Sequence, residues 1–209
     1  MEGYILTADD YGLAQGFNSG ILEVADGGMF SGISVMVNQK FIRPQELLAL
    51  SNLDLGIHLE LAAPASEKDV EKQIESFQKL FGRTPDYLDG HQHCHVAPGN
   101  TEATVLVAKK YGLPVRSRFP EDRERLRKAG IATSDAFISW HPNRREIFFE
   151  NLRQARGITE IVCHPGYFDP LTHYPYNKER EAELVILMSS EFQKLLKLRP
   201  RLRYSMLPS

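Results

Sequence analysis

Short apolar runs alternate with amphipathic stretches along the whole chain. Tyr4 to Ala8 is rich in strand formers and ends on Asp9-Asp10. Towards Asp26, Phe17, Ile21, Leu22 and Ala25 recur at helical spacing, so Asn18 to Asp26 predicts a helix stopped by Gly27-Gly28. Ile33 to Val37 predicts a second strand, Pro44 to Leu50 a short helix, and Leu53 to Leu61 a third strand carrying His58 near its end. The strongest helical signal is Glu67 to Phe81. Ser66 and Asp69 have capping-box spacing, Val70, Ile74, Phe77 and Phe81 form one stripe, and Gly82 closes it.

Tyr87 to Asp89 reads as a brief strand running into His91-Gln-His-Cys-His95, followed by a helix from Thr101 to Tyr111. Further strand and helix pairs are Val115 to Phe119 with Glu121 to Ala129, and Thr133 to Ile138 with Asn143 to Ala155. Ile158 to Cys163 is another strand and leads into His164-Pro-Gly166. A helix from about Lys178 to Leu198 and a strand from Leu202 to Met206 complete the pattern. Strands alternating with helices at this pitch predict a parallel α/β architecture. Seven or eight such units in 209 residues suit a compact (β/α) barrel, with residues 1–209 as a single catalytic domain. The polar residues sharpen this. Asp9-Asp10, His58, His91 and His164 all fall at or just beyond the C-terminal ends of strands, and in such a barrel those ends share the face where active sites are built.

Composition narrows the function classes. Hydrophobic residues make up 42% and charged residues 25%, ordinary for a globular protein. With 25 basic against 27 acidic residues, the chain lacks the basic excess of a nucleic-acid binder. No run approaches the ~18 apolar residues of a membrane span. The opening Met-Glu-Gly-Tyr-Ile-Leu has no basic segment followed by a long apolar one, so no secretory leader is expected. Two cysteines are too few for a disulfide framework and fit a reducing, cytoplasmic setting. Cys94 and Cys163 read as reduced packing residues, and Trp140 as a packing anchor or a wall for a sugar ring to stack on.

Asp and His gathered from different strand ends are the ingredients of a catalytic divalent-metal site with an open position for water. If Asp10 binds the ion, Asp9 can take a proton from water beside it. That requires the pair to lie where the strand breaks, because neighbours on a regular strand face opposite ways. If the segment is extended, His91, His93 and His95 share one face with Asp89, and three clustered imidazoles without a metal or partner are costly to bury.

These segments resemble the YdjC-like carbohydrate deacetylases. The matching stretches are Thr7-Ala-Asp-Asp-Tyr-Gly-Leu13, Asn18 with Gly20-Ile-Leu-Glu23, Gly32 to Asn38, Gly56-Ile-His-Leu59, Leu88-Asp-Gly-His-Gln-His-Cys-His95 and Val162-Cys-His-Pro-Gly-Tyr167. The resemblance implies a distorted (β/α) barrel related to polysaccharide deacetylases. It also implies metal-dependent removal of N-acetyl groups from amino sugars or short chito-oligosaccharides. By position, Asp10, His58 and His91 correspond to ligands of one divalent ion, Mg2+ or Zn2+. Asp9 corresponds to the base and His164 to the acid. His93, His95, Arg116 and Arg118 remain as groups behind the ligands or against the substrate.

Two departures stand out. Thr7 replaces a usual asparagine, and only 32 residues separate His58 from His91, where relatives often carry a longer insertion that walls the sugar site. A shortened wall implies a more open site or one completed by a second copy, so a homodimer is one expectation. The competing readings are a metal-dependent phosphoesterase, which more often needs two ions, and a catalytically silent sugar-binding relic. The base assignment makes a direct prediction. Asp9→Asn abolishes acetate release while elemental analysis still finds the ion; loss of the ion instead marks Asp9 as a ligand.

Overall fold

The computed structural model describes residues 1–208. Six strands form one parallel sheet in the order β4-β3-β2-β1-β6-β5: β1 (Gly3–Tyr11), β2 (Gly32–Val35), β3 (Asp54–Leu59), β4 (Leu88–Gly90), β5 (Ala136–Ser139) and β6 (Ile158–Cys163). The helices are α1 (Gln15–Asp26), α2 (Pro44–Leu48), α3 (Glu67–Phe81), α4 (Thr101–Tyr111), α5 (Pro120–Lys128), α6 (Arg145–Gln154), α7 (Glu179–Met188) and α8 (Ser190–Leu196). None among the described residues is long and apolar enough to cross a membrane.

Alternation along the strands sorts residues between two environments. Leu6 and Ala8, Ile33 and Val35, Leu55, Ile57 and Leu59, and Ile161 and Cys163 belong to the main apolar core with the helices. The intervening residues form the other face. Its lower layer is apolar, made by Ile5, Tyr87, Ile158, Leu202 and Tyr204. The Tyr87 and Tyr204 rings stack at 4.6 Å between centroids. Gly32 and Gly56 make room for this layer, since a Cβ on Gly56 would come within 2.3 Å of the Tyr87 ring. Above it lie Thr7, Asp9, Ser34, His58, Asp89 and Glu160, all buried and polar.

Most elements match the pattern in the sequence. α3 has the predicted bounds, with the Ser66 amide donating to Asp69 at 2.8 Å and Gly82 left-handed at φ 68°. The count of seven or eight barrel units is corrected to six ladder strands. Val115 to Phe119 supplies only a single bridge, Val115 to Leu88. Leu202 to Met206 is likewise no strand. Arg201 makes one bridge to Tyr4, and residues Tyr204–Met206 form a 3-10 turn. The expected helix from Lys178 to Leu198 breaks at Ser189, whose extended backbone (ψ 144°) lets its hydroxyl accept from the Phe192 amide and start α8.

α1 approaches the loop after β6 closely enough that only glycine fits at position 20. A Cβ there would lie 2.5 Å from the Gly166 Cα, backbone against backbone. Gly20→Ala is therefore expected to cost about 1–3 kcal/mol through overpacking. Gly27→Ala, whose Cβ would meet only the Val24 carbonyl oxygen, at 3.4 Å, serves as the control. Urea midpoints check both; equal midpoints would show that the loop yields.

Candidate active site

The pair Asp9-Asp10 lies where β1 loses its register with β2, between Ala8 and Tyr11. Asp10 is left-handed, at φ 71°, a conformation that aspartate tolerates better than most residues. The break turns both carboxylates into one cavity. Gly12, at φ 103°, continues the turn, and its amide donates to Asn18 Oδ1 at 2.8 Å. The cavity has a volume of about 210 Å³, and Asp9, Asp10, His58, His91 and His164 all line it.

His58 projects from β3. Its Nδ1 is 2.7 Å from Asp89 Oδ1, which leaves Nε2 directed at Asp10 Oδ1, 3.2 Å away. His91 Nδ1 lies 2.9 Å from the same Asp10 oxygen, and its Nε2 meets the Tyr174 hydroxyl. Asp10, His58 and His91 thus offer one carboxylate oxygen and two imidazole nitrogens within 4.8 Å of one another. Three such donors with an open side suit a catalytic divalent ion. The Asp89 carboxylate behind His58 is the usual device for fixing a ligand imidazole's orientation. His164, at the end of β6, places Nε2 at 3.9 Å from Asp9 Oδ2 and Nδ1 at 3.8 Å from Glu183 Oε2.

The histidine cluster does not form one face. Gln92 and His93 are left-handed, at φ 52° and 60°, so the segment coils instead of extending. His91 reaches the cavity, and His93 lines it with its ring edge-on to Phe137. His95 turns inward, buried, and pairs Nε2 with the Arg116 carbonyl oxygen at 3.1 Å. Neither expected arginine lines the cavity. Arg118 is exposed over the Phe119 ring. Arg116 is fully buried: its backbone amide pairs with the Leu88 carbonyl oxygen beside β4, and its side chain points inward. Its guanidinium grips Asp9 through two bonds of 2.6 and 2.8 Å, Glu160 at 2.9 Å and Asp89 at 2.8 Å.

Charge follows this geometry. Burial alone would raise the Asp9 carboxyl, but Arg116, with help from His58, holds it below the usual range. Burial likewise opposes ionisation of Asp10, yet hydrogen bonds to His58 and His91 and the charge of Arg180 keep it well below. Burial pushes His93 down to about 2 and His95 to about 4. Glu183 is driven by burial up to about 8.

Several residues of the site had no role in the sequence reading. Arg180 and Glu183 sit on α7 beside Leu184 and Leu187, and Tyr174 and Tyr176 lie in the preceding loop. The signal for the first two was available. Charges at i and i+3 fall on the stripe that the helix buries, where a solvated helix would carry apolar residues.

Comparison with known proteins places this geometry. The family model described as YdjC-like protein matches residues 4–70 and 64–198. The chain belongs to the YdjC-like family. Among similar proteins, a carbohydrate deacetylase of Thermoanaerobacter pseudethanolicus is 29% identical, covering 94% of this chain and 95% of that one. A chitooligosaccharide deacetylase of Proteus mirabilis is 28% identical, covering 92% of each. The first alignment spans 240 positions against a chain of 209, so that relative carries added segments. A crystal structure described as a putative cellobiose-phosphate cleavage protein, from Enterococcus faecalis, superposes with a TM-score of 0.80 at 22% identity over 97% of each chain. A family 4 carbohydrate esterase from Streptomyces lividans, in complex with acetate, superposes at 0.57 with 12% identity, over 93% of this chain and 88% of that one. The curled parallel sheet of this chain is thus the fold that these two structures share.

The burial of His95 predicts a pH dependence. Its folded value of about 4 lies below the ordinary 6.5. As pH falls between these values the unfolded chain takes up a proton that the folded one refuses, so stability is lost. His95→Gln is expected to lose less stability than the parent between about pH 7 and about pH 5. Urea unfolding at both pH values measures the difference, and identical losses contradict it.

Proposed function

We propose that this chain is a divalent-metal-dependent carbohydrate deacetylase that hydrolyses the N-acetyl group of an amino sugar or short chito-oligosaccharide. One observation carries the reading. Asp10, His58 and His91 converge as a ligand set, while Asp9 and His164 face each other across the same cavity. The names of the relatives, carbohydrate and chitooligosaccharide deacetylase, agree with it.

Asp10, His58 and His91 would hold the ion, with Mg2+ or Zn2+ as the expected species. Bound there, a divalent ion supplies Lewis acidity, lowering the pKa of a water and polarising a carbonyl. Asp9 receives the proton from the attacking water. Arg116 keeps its carboxylate ionised and fixed, with Oδ2 lying 3.8 Å from His58 Nε2 and 3.9 Å from His164 Nε2. His164 gives a proton to the departing sugar nitrogen, a poor leaving group as an anion. Burial holds this imidazole below its usual pKa, which makes its protonated form a stronger acid. Glu183, on the far side of the ring, orients it.

The arrangement disfavours the phosphoesterase reading. A second set of donors, Asp9, His58 and Asp89, lies beside the first. Arg116 already occupies both of its carboxylates, so a guanidinium stands where a second ion would have to bind. The cavity's size bears on substrate. At about 210 Å³ it falls below the ~300–1,000 Å³ of pockets that enclose a drug-sized ligand, so it takes the reacting sugar unit and leaves a longer chain outside.

Acetate release from a panel of N-acetyl sugars and chito-oligosaccharides, before and after chelation and after add-back of several divalent ions, tests the reading. The expected result is release that chelation abolishes and at least one ion restores. No acetate from any member, together with ion-dependent hydrolysis of a phosphate ester, overturns it.

A further inference from the structure

Among the described residues, Arg180 is the one arginine or lysine that lines the cavity, and the mechanism above leaves it idle. The side chain is 1% exposed and held from several directions. Nη2 pairs with Asp10 Oδ2, Nε donates to the Tyr176 carbonyl oxygen at 2.9 Å, and the guanidinium carbon lies 3.7 Å above the Phe17 ring. Gly166 makes room for its stem, since a Cβ there would lie 3.2 Å from the Arg180 Cδ. The remaining nitrogen, Nη1, is buried without a partner. An orphaned charged donor is costly in a folded protein, and holding it rigid against the cavity adds to that cost. A group maintained at such expense is explained by a ligand atom that completes it.

That atom can be placed by chemistry. Nη2 of Arg180 holds one oxygen of Asp10, the other oxygen faces His58 and His91, and Arg180 lines the cavity, so the guanidinium stands beside the point where the reaction is centred. Given the deacetylase reading, on which this inference rests, the substrate brings one strong acceptor to that point, its acetamide carbonyl oxygen. The geometry points to Arg180 as a catalytic residue whose Nη1–H donates to this oxygen and stabilises the charge that develops on it. When the water oxygen bonds to the carbonyl carbon, its proton passes to Asp9 and the carbonyl π pair moves onto the oxygen facing Arg180. On collapse that pair re-forms the C=O bond and the C–N bond breaks. Its electrons stay on nitrogen, which takes a proton from His164, leaving the free amine and acetic acid, which loses its remaining proton to water as acetate. A donor already fixed in a buried site acts on this charge at little reorganisation cost.

The test compares the parent with Arg180→Met and Arg180→Lys, measuring kcat, KM, bound metal and thermal stability. It adds the affinity for a methylphosphonamidate of glucosamine, whose tetrahedral oxygens mimic the charged intermediate. The expected result for Arg180→Met is a loss of about 10²–10³-fold in kcat with KM nearly unchanged. Metal content stays at the parental level, and the affinity for the phosphonamidate falls along with kcat/KM. Kcat within threefold of the parent overturns the inference. So does activity that excess metal restores, which makes Arg180 only a positioning residue for Asp10. If Arg180→Met does not fold, Arg180→Lys decides on the same criteria, since lysine keeps the charge but loses the fixed planar donor. A parent that releases no acetate removes the deacetylase reading itself, a result distinct from either variant's failure.

Discussion

The structure turns on one buried cation. Arg116 sits in the middle of the curled sheet and touches Asp9, Asp89 and Glu160, all fully or nearly fully buried. Three carboxylates in so little space would repel one another and resist ionisation without it. Removing one partner of such a buried pair typically costs about 3–5 kcal/mol, because the remaining charge has nowhere to go. The network also runs the height of the barrel. Tyr204 in the lower layer donates to Glu160, Glu160 accepts from Arg116, and Arg116 fixes Asp9 at the upper face. His95 secures the arginine's backbone from the side. The layer that supports the site is therefore continuous with the site, and the interior has no separate apolar floor at its middle level.

What the sequence discloses is what local rules govern. A capping residue, a stripe and a closing glycine specify α3 without help from the rest of the chain. Strand-end polar residues marked Asp9, Asp10, His58, His91 and His164, and the fold gathers all five around one cavity. The failures have a different origin. The inference that His91, His93 and His95 share a face assumed extended backbone, and two left-handed residues undo that assumption. Arg116 was left open between a group behind the ligands and one against the substrate, because nothing local says that its guanidinium is buried among three carboxylates. On α7 the buried charges Arg180 and Glu183 show as a break in the apolar stripe, but which carboxylate or imidazole each meets is a matter of tertiary packing that no window of sequence contains.

The upper rim shows how a short chain covers its site. The two stretches that match the YdjC-like model overlap at 64–70, which spans the end of the link between β3 and α3 and the first turn of α3. Coverage comes from the other side of the barrel. The loop between β6 and α7 brings Tyr174 onto His91 and Tyr176 beside Glu183, and both rings line the cavity. The same loop contains Gly166, whose contact with α1 anchors its start.

The backbone at Asp10 carries a consequence for how this family can drift. Position 10 is specified twice, once for its carboxylate and once for its left-handed conformation. Asparagine and glycine satisfy the second requirement without the first, and each is one nucleotide away from aspartate. Either change keeps the turn, takes a carboxylate oxygen from the group formed with His58 and His91, and leaves Arg180 without its buried counter-charge. A change at this position therefore needs a second one at Arg180 before the fold can discard the carboxylate without loss of stability.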